Sequence, residues 1–201
     1  CGDGNWQELV GGSWMMMEQV TGIILAGGAA SRMGQPKPFI RWKGKLLIEW
    51  VFEAIKPVCS NIIIVANQGD FSFLGATVVP DNFPRQGPAS GIEAGLTAMH
   101  TTQAVVVSCD TPNLPAALFE HLLKQHGNYE VTIASHEGIT EPLIGIYAKE
   151  ALERFRSALV AGDPHPPRII RSCKWQAVAI SAANNFFAPD LFLNLNTPND
   201  L

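Results

Sequence analysis

Short, β-rich apolar runs alternate along the chain with segments whose apolar positions recur at helical spacing. "VTGIILA" (20–26), "NIIIVAN" (61–67), "ATVVPD" (76–81) and "QAVVVSCD" (103–110) read as strands, the last being the strongest. "YEVTIAS" (129–135), "PLIGIYA" (142–148), "WQAVAIS" (175–181) and "LFLNLN" (191–196) read as further strands. Between them, "KLLIEWVFEAI" (45–55), "GPASGIEAGLTAMH" (87–100), "PAALFEHLLKQH" (115–126) and "KEALERFRSALVAG" (149–162) read as helices. "DPHPP" (163–167) reads as a loop and "RIIRSCK" (168–174) as a short helix. Strands buried on both sides and separated by helices predict an α/β fold. The expected form is a single-domain, Rossmann-like, mostly parallel sheet with helices on both faces. Such sheets bind ligands outside the carboxyl ends of their strands.

Residues 1–19 break the pattern, being Gly-rich and without periodicity. They read as a leader, disordered or added from upstream, with the domain running over 20–201. Three consecutive methionines at 15–17 offer a natural start. At 201 residues the chain suits one domain with a sizeable core. A net charge of −4 argues against a general nucleic-acid binder. No apolar run approaches the ~18 residues of a membrane span, so neither nucleic acid nor membrane is an expected partner. Cysteines at 1, 59, 109 and 173 show neither zinc spacing nor a disulfide framework, and read as cytoplasmic thiols. The five histidines are dispersed and need no metal. Cys109 reads as a small buried residue and Trp42, Trp50 and Trp175 as packing residues. Glu141 sits either at a strand end for structural reasons or at the edge of a substrate cleft.

The chemistry concentrates in "LAGGAASRMGQPK" (25–37), directly after the first strand. Gly27 and Gly28 let the backbone turn sharply with its amides free, which makes an anion-binding concavity. Arg32 adds a fork suited to phosphate and Lys37, between two prolines, a point charge. This is neither a P-loop, since five residues separate Gly28 from Gly34 and Gln35 follows, nor a dinucleotide fingerprint, since Ala29 stands where the third glycine belongs. A structural turn remains the plain alternative. In "VVVSCDTP", Asp110 lies just past the strongest strand, at the same sheet edge as the glycine loop. It either caps a turn or holds Mg²⁺, an ion commonly bound by one or two carboxylates together with substrate phosphates. The glycine loop, Lys37 and Asp81 at neighbouring strand ends favour the metal.

These segments, with "VAN", "PDNFPRQGPASGI", "EPLIGIY" and "NLNTPNDL", resemble the nucleotidyltransferase superfamily from about Thr21 to Leu201, and in detail the molybdenum cofactor guanylyltransferase family. The cytidylyl branch typically has LAAG where this chain has LAGG. The resemblance implies transfer of GMP from GTP to the terminal phosphate of molybdopterin, with or without molybdenum, and release of pyrophosphate. It implies Leu25, Ala26, Gly27, Gly28, Lys37, Asn67, Asp81 and Asp110 as nucleotide-binding residues, with Lys37 and Asp110 catalytic and Asp110 the Mg²⁺ ligand. Arg32, Arg168, Asn194 and Asn196 fall where the family reaches its acceptor, although "AGDPHPPR" is longer than the family pattern. Asp200 is not assigned to metal. Molybdoenzymes or their chaperones are the implied recipients. The alternatives are another nucleotidyltransferase, acting with CTP on molybdopterin or on a sugar or alcohol phosphate, and a non-catalytic module that delivers nucleotide or cofactor.

Overall fold

The computed structural model describes residues 19–27, 35–197 and 200. Most of the leader 1–19, together with Gly28 and Arg32, lies outside the described residues. In chain order the elements are β1 (Val20–Leu25), β2 (Arg41–Trp42), β3 (Lys45–Leu46), α1 (Leu47–Ile55), β4 (Asn61–Val65), β5 (Thr77–Val79), α2 (Pro88–Ala98) and β6 (Gln103–Ser108). They continue with α3 (Ala116–His126), β7 (Val131–His136), β8 (Ile139–Ala148), α4 (Leu152–Val160), α5 (Pro166–Arg171) and β9 (Trp175–Ala179). No helix among the described residues is long and apolar enough to cross a membrane.

Seven strands form one sheet in the order β5-β4-β1-β6-β8-β7-β9, with β2 and β3 as a separate hairpin. β8 runs antiparallel to both of its neighbours, and every other pairing in the large sheet is parallel. The antiparallel insertion follows from "SHEGIT": Glu137 and Gly138, both at positive φ, make a two-residue hairpin turn between β7 and β8. The central strands are buried on both faces, as their continuous apolar runs require. One core, with Ile24, Val105, Leu118 and Ile146, lies on the face covered by α1 and α3. The other, with Ile23, Ile92, Val106 and Phe155, lies on the face covered by α2 and α4.

Both helices nearest β1 approach it closely. A Cβ on Gly22 would stand 2.6 Å from Ile55 Cδ1, and one on Gly95 in α2 would stand 2.4 Å from Ile23 Cγ2. The absence of side chains at these two positions sets the distance between helix and sheet on either side of the strand that feeds the glycine loop.

The sequence reading needs four corrections. The helix expected over 45–55 begins at Leu47, because Lys45 and Leu46 pair with Arg41 and Trp42 as a hairpin. The helix expected over 149–162 begins with a 3-10 turn at Lys149–Ala151, and its α-helical part is Leu152–Val160. The helix expected at 168–174 begins at Pro166, since proline is well suited to a first turn that needs no N–H. "LFLNLN" is not a strand. It crosses the carboxyl ends of the sheet as turns, and its one ladder-like bond there is Leu195 N–H to the Asp110 carbonyl, 2.9 Å. Its leucines do not share one face: Leu193 is exposed, Leu191 joins the core under α1 and α3, and Leu195 packs with Ile40, Trp42 and Leu47 beside the hairpin.

α2 is locked to the loop after β5 and to α4 by a buried carboxylate. Glu93 is 1% exposed and receives Asn82 Nδ2 (2.8 Å), Thr97 Oγ1 (3.0 Å), and Arg156 through Nε (3.0 Å) and Nη2 (2.9 Å). Removing the arginine would leave that carboxylate uncompensated. The Arg156 side chain is 39% exposed, and Asn82 and Thr97 still donate to Glu93, so Arg156→Ala is expected to lower unfolding free energy by about 1–2 kcal/mol, measured by urea denaturation. A loss within experimental error would show that Asn82 and Thr97 suffice.

Candidate active site

Four segments leave the sheet at one edge and converge: Leu25–Gly27 after β1, Ala66–Asn67 after β4, Pro80–Asp81 after β5 and Cys109–Asp110 after β6. Backbone bonds carry their alignment past the last paired residues: Ala26 N–H to Val65 O (2.9 Å), Ala66 N–H to Val79 O (3.0 Å) and Cys109 N–H to Leu25 O (3.2 Å). The carboxyl ends therefore stay in register as they become loops, and side chains distant in sequence emerge side by side.

Lys37 opens a 3-10 turn, Lys37–Phe39, between Pro36 and the buried Pro38. Phe39 stacks on Phe71 with ring centroids 5.0 Å apart, which anchors the turn to the sheet. Lys37 Nζ donates to Asp110 Oδ2 at 2.6 Å and to Asn196 Oδ1 at 2.6 Å. Asp110 is held by Thr111, whose hydroxyl donates to Ser108 O (3.1 Å), and by the Leu195 amide on its own carbonyl. Its second oxygen, Oδ1, is buried and has no hydrogen-bond partner among the described residues. A buried carboxylate oxygen without a donor is costly, and a cation is the natural complement. Among the described residues no group of three or more His, Cys, Asp or Glu is placed to hold a metal. A cation at Asp110 would lean on one carboxylate and on substrate phosphates, as Mg²⁺ commonly does.

Asn67 and Asp81 pair with each other. Asn67 Nδ2 donates to Asp81 Oδ2 (2.9 Å) and Asp81 N–H donates to Asn67 Oδ1 (3.0 Å). Burial raises the Asp81 carboxyl above its usual range, partly offset by the Asn67 bond. Asp81 also lies against the first turn of α2, its Oδ1 3.7 Å from where a Cβ on Gly91 would stand. At the other end of the edge, a cleft of about 270 Å³ is lined by residues including Pro88, Asp110, Glu141, Pro142, Pro167 and Asn194. Burial and the Asp110 charge raise the Glu141 carboxyl, with His136 acting against them.

Of the residues singled out in the sequence, Lys37, Asp110 and Asn196 meet directly, Asn194 lines the adjoining cleft, and Asn67 and Asp81 stand together as a pair. Arg168 is elsewhere: its guanidinium binds Asp163 Oδ2 at 2.9 Å, its side chain is exposed, and α5 presents Pro166 and Pro167 to the cleft instead. Asp200 accepts from the Asn196 amide (2.9 Å), the Thr197 amide (2.7 Å) and the Thr197 hydroxyl (3.0 Å). That clamp shapes the segment carrying Asn196. Burial, with the Asp110 carboxylate beside it, pushes the Cys109 thiol up to about 12, so it is no nucleophile at neutral pH. Glu141 was left open by the sequence; its place in the cleft was detectable only as a carboxylate next to a proline inside a strand.

The profile of the MobA-like NTP transferase domain matches residues 22–178, which contain all of these elements except the Asn194–Asp200 segment. The chain belongs to the MobA-like NTP transferase family. Among relatives of this family, a probable molybdenum cofactor guanylyltransferase of Carboxydothermus hydrogenoformans is 33% identical over 189 residues, covering 92% of this chain and 94% of that protein. A molybdenum cofactor guanylyltransferase of Vibrio vulnificus is 36% identical over 185 residues, covering 89% and 91%. Among solved structures, molybdopterin-guanine dinucleotide biosynthesis protein A from Archaeoglobus fulgidus superposes with a TM-score of 0.76 at 25% identity, covering 90% of this chain and 94% of that one. The 2-C-methyl-D-erythritol 4-phosphate cytidylyltransferase of Thermus thermophilus superposes at 0.68 with 17% identity, covering 90% and 95%, and shares the fold. Like its family, the chain is a nucleotidyltransferase.

Proposed function

We propose that this protein transfers GMP from GTP to the terminal phosphate of molybdopterin, with or without molybdenum bound, and releases pyrophosphate. The observation that carries the reading is the Lys37–Asp110–Asn196 constellation, with one Asp110 oxygen on the lysine and the other buried without a donor among the described residues. The family relatives supply the substrate class.

The attacking group is a phosphate oxygen, already anionic near neutral pH, so no side-chain base is required. The obstacle is bringing two anions together, and positioning and electrostatics carry such reactions. In this proposal the loop amides around Gly27 and Gly28 receive the triphosphate, and Lys37 neutralises charge on it from a fixed direction. Asn196 and Asp110 set that direction by holding the ammonium from two sides. Asp110 Oδ1 is the ligand for a divalent ion, Mg²⁺ in this reading, which when bound would add further charge neutralisation at the phosphates. The Asn67–Asp81 pair takes the nucleoside end, while Arg32, Asn194 and the cleft beside Asp110 take the acceptor. The reaction belongs in the cytoplasm, where Cys59, Cys109 and Cys173 remain thiols. Molybdoenzymes or their chaperones are the expected recipients.

Base choice tests the reading. Guanine presents a donor pair, N1–H and the exocyclic amine, which suits a carboxylate such as Asp81. Cytosine offers a single donor, its exocyclic amine, and sets the N3 acceptor against the carboxylate where guanine sets N1–H, and such mismatches discriminate strongly. With GTP and CTP competing at equal concentration and molybdopterin as acceptor, the guanine dinucleotide is expected to dominate by about 100-fold or more. Preferential formation of the cytosine dinucleotide would overturn the guanylyl assignment.

A further inference from the structure

The cleft beside Asp110 has a feature that phosphate chemistry does not use. β8 carries a proline, Pro142, and its pairing with β7 is irregular there. Ile133 pairs with Gly145, yet the next β7 residue, Ala134, pairs with Glu141, so three β8 residues bulge out. The buried Tyr147 hydroxyl donates to the Pro142 carbonyl and pins the bulge. Bulges of this kind re-aim a side chain beside a site. On the other edge of β8, Ile144 is level with Val107, so residues 141–143 project past the carboxyl end of β6 toward Asp110. The result is a half-buried Glu141 carboxyl in the cleft that accepts no hydrogen bond from a described residue. Around it the walls are flat and apolar: Pro88, Pro166, Pro167, Leu143 and Ile144.

The cleft's other carboxylate, Asp110, is engaged by Lys37, and a slot with proline faces and the Glu141 carboxylate fits a planar heterocycle that offers two adjacent N–H donors. We propose that Glu141 reads the 2-amino and N3–H edge of the acceptor's 2-amino-4-oxopteridine, while the prolines hold the faces of the ring. This rests on molybdopterin being the acceptor. Guanine carries a similar donor edge, but sheet order separates the two ends of the site. Asp81 follows β5 and Glu141 opens β8, four strands apart in the sheet, about 19 Å at the usual strand spacing. The nucleoside and the pteridine can therefore each meet their own carboxylate.

The probes are 6-hydroxymethylpterin and the corresponding 2,4-dioxopteridine, in which an oxygen replaces the 2-amino group, titrated by ligand fluorescence. The wild type is expected to favour the pterin about tenfold, as a charge-assisted pair lost to an acceptor implies. Glu141→Gln is nearly isosteric, and should reduce that preference to within about twofold while leaving thermal stability unchanged. In turnover, the same variant should raise KM for molybdopterin about tenfold and leave KM for GTP and the Mg²⁺ dependence unaltered. Glu141→Ala should behave likewise, since the effect belongs to the lost carboxylate. Absence of pterin binding by the wild type, a preference that survives both substitutions, or a shift falling on GTP or Mg²⁺ would each overturn the assignment. Failure of the wild type to turn over GTP with molybdopterin would instead overturn the proposed function, whatever the two probes show.

Discussion

Asp110→Asn is expected to fold normally and to lose turnover by about 10²–10³-fold. The substitution keeps shape and removes charge. Lys37 donates to Oδ2 at 2.6 Å, so the amide will turn its oxygen toward the lysine to preserve that bond. Its NH₂ group then occupies the place of Oδ1, the buried oxygen that has no donor among the described residues. A donor there repels a cation where the carboxylate would bind one. The measurement is pyrophosphate release across a Mg²⁺ titration, with circular dichroism to check the fold. Unchanged turnover with the wild-type Mg²⁺ dependence would remove Asp110 from the metal role and leave it as a turn residue.

Lys37→Ala is the second large effect, expected to lower kcat/KM for GTP by about 10²–10³-fold through lost charge at the phosphates. From the sequence, a lysine between two prolines reads as a charge held at an angle, with no part in stability. The structure adds a structural consequence, because the ammonium also neutralises Asp110 and binds Asn196. Breaking a fully buried pair costs several kcal/mol, but the Lys37 and Asp110 side chains are 22% and 13% exposed, so the loss should be nearer 1–2 kcal/mol, about 2–8 °C in melting temperature for a domain this size. A divalent ion on Asp110 would replace the missing charge. The destabilisation should therefore be largest in EDTA and shrink as Mg²⁺ is added. Equal destabilisation at every Mg²⁺ concentration would point to packing of the Lys37 stem, and wild-type activity would exclude the lysine from the reaction.

The carboxyl ends of β1 and β6, and the positions of Lys37 and Asp110 beside them, were legible in the sequence because each depends on local pattern. A continuous apolar run predicts a strand buried on both faces, and residues directly after such strands must gather at one edge of a parallel sheet. Pro36 and Pro38 fix Lys37 through the backbone alone. These are short-range rules, and β1, β4, β6, α2 and α3 obeyed them. What the tertiary structure decided involves partners far apart in the chain. Asn196 reaches Lys37 across 159 residues only because the C-terminal segment crosses the strand ends, which "LFLNLN" conceals by imitating a strand. Its alternating leucines go to three different places, Leu191 to the large core, Leu193 to the surface and Leu195 to the cluster beside the hairpin. Arg168 sits on Asp163 because its nearest carboxylate lies in the preceding loop, a competition between charges that spacing does not rank. Glu141 depends on a bulge held by Tyr147, and a bulge breaks the period of two by which a strand's faces are read from sequence. Periodicity thus determined which segments build the sheet and where its binding edge lies. The aim of individual side chains along that edge was decided by irregular backbone and long-range pairing, which leave no periodic trace.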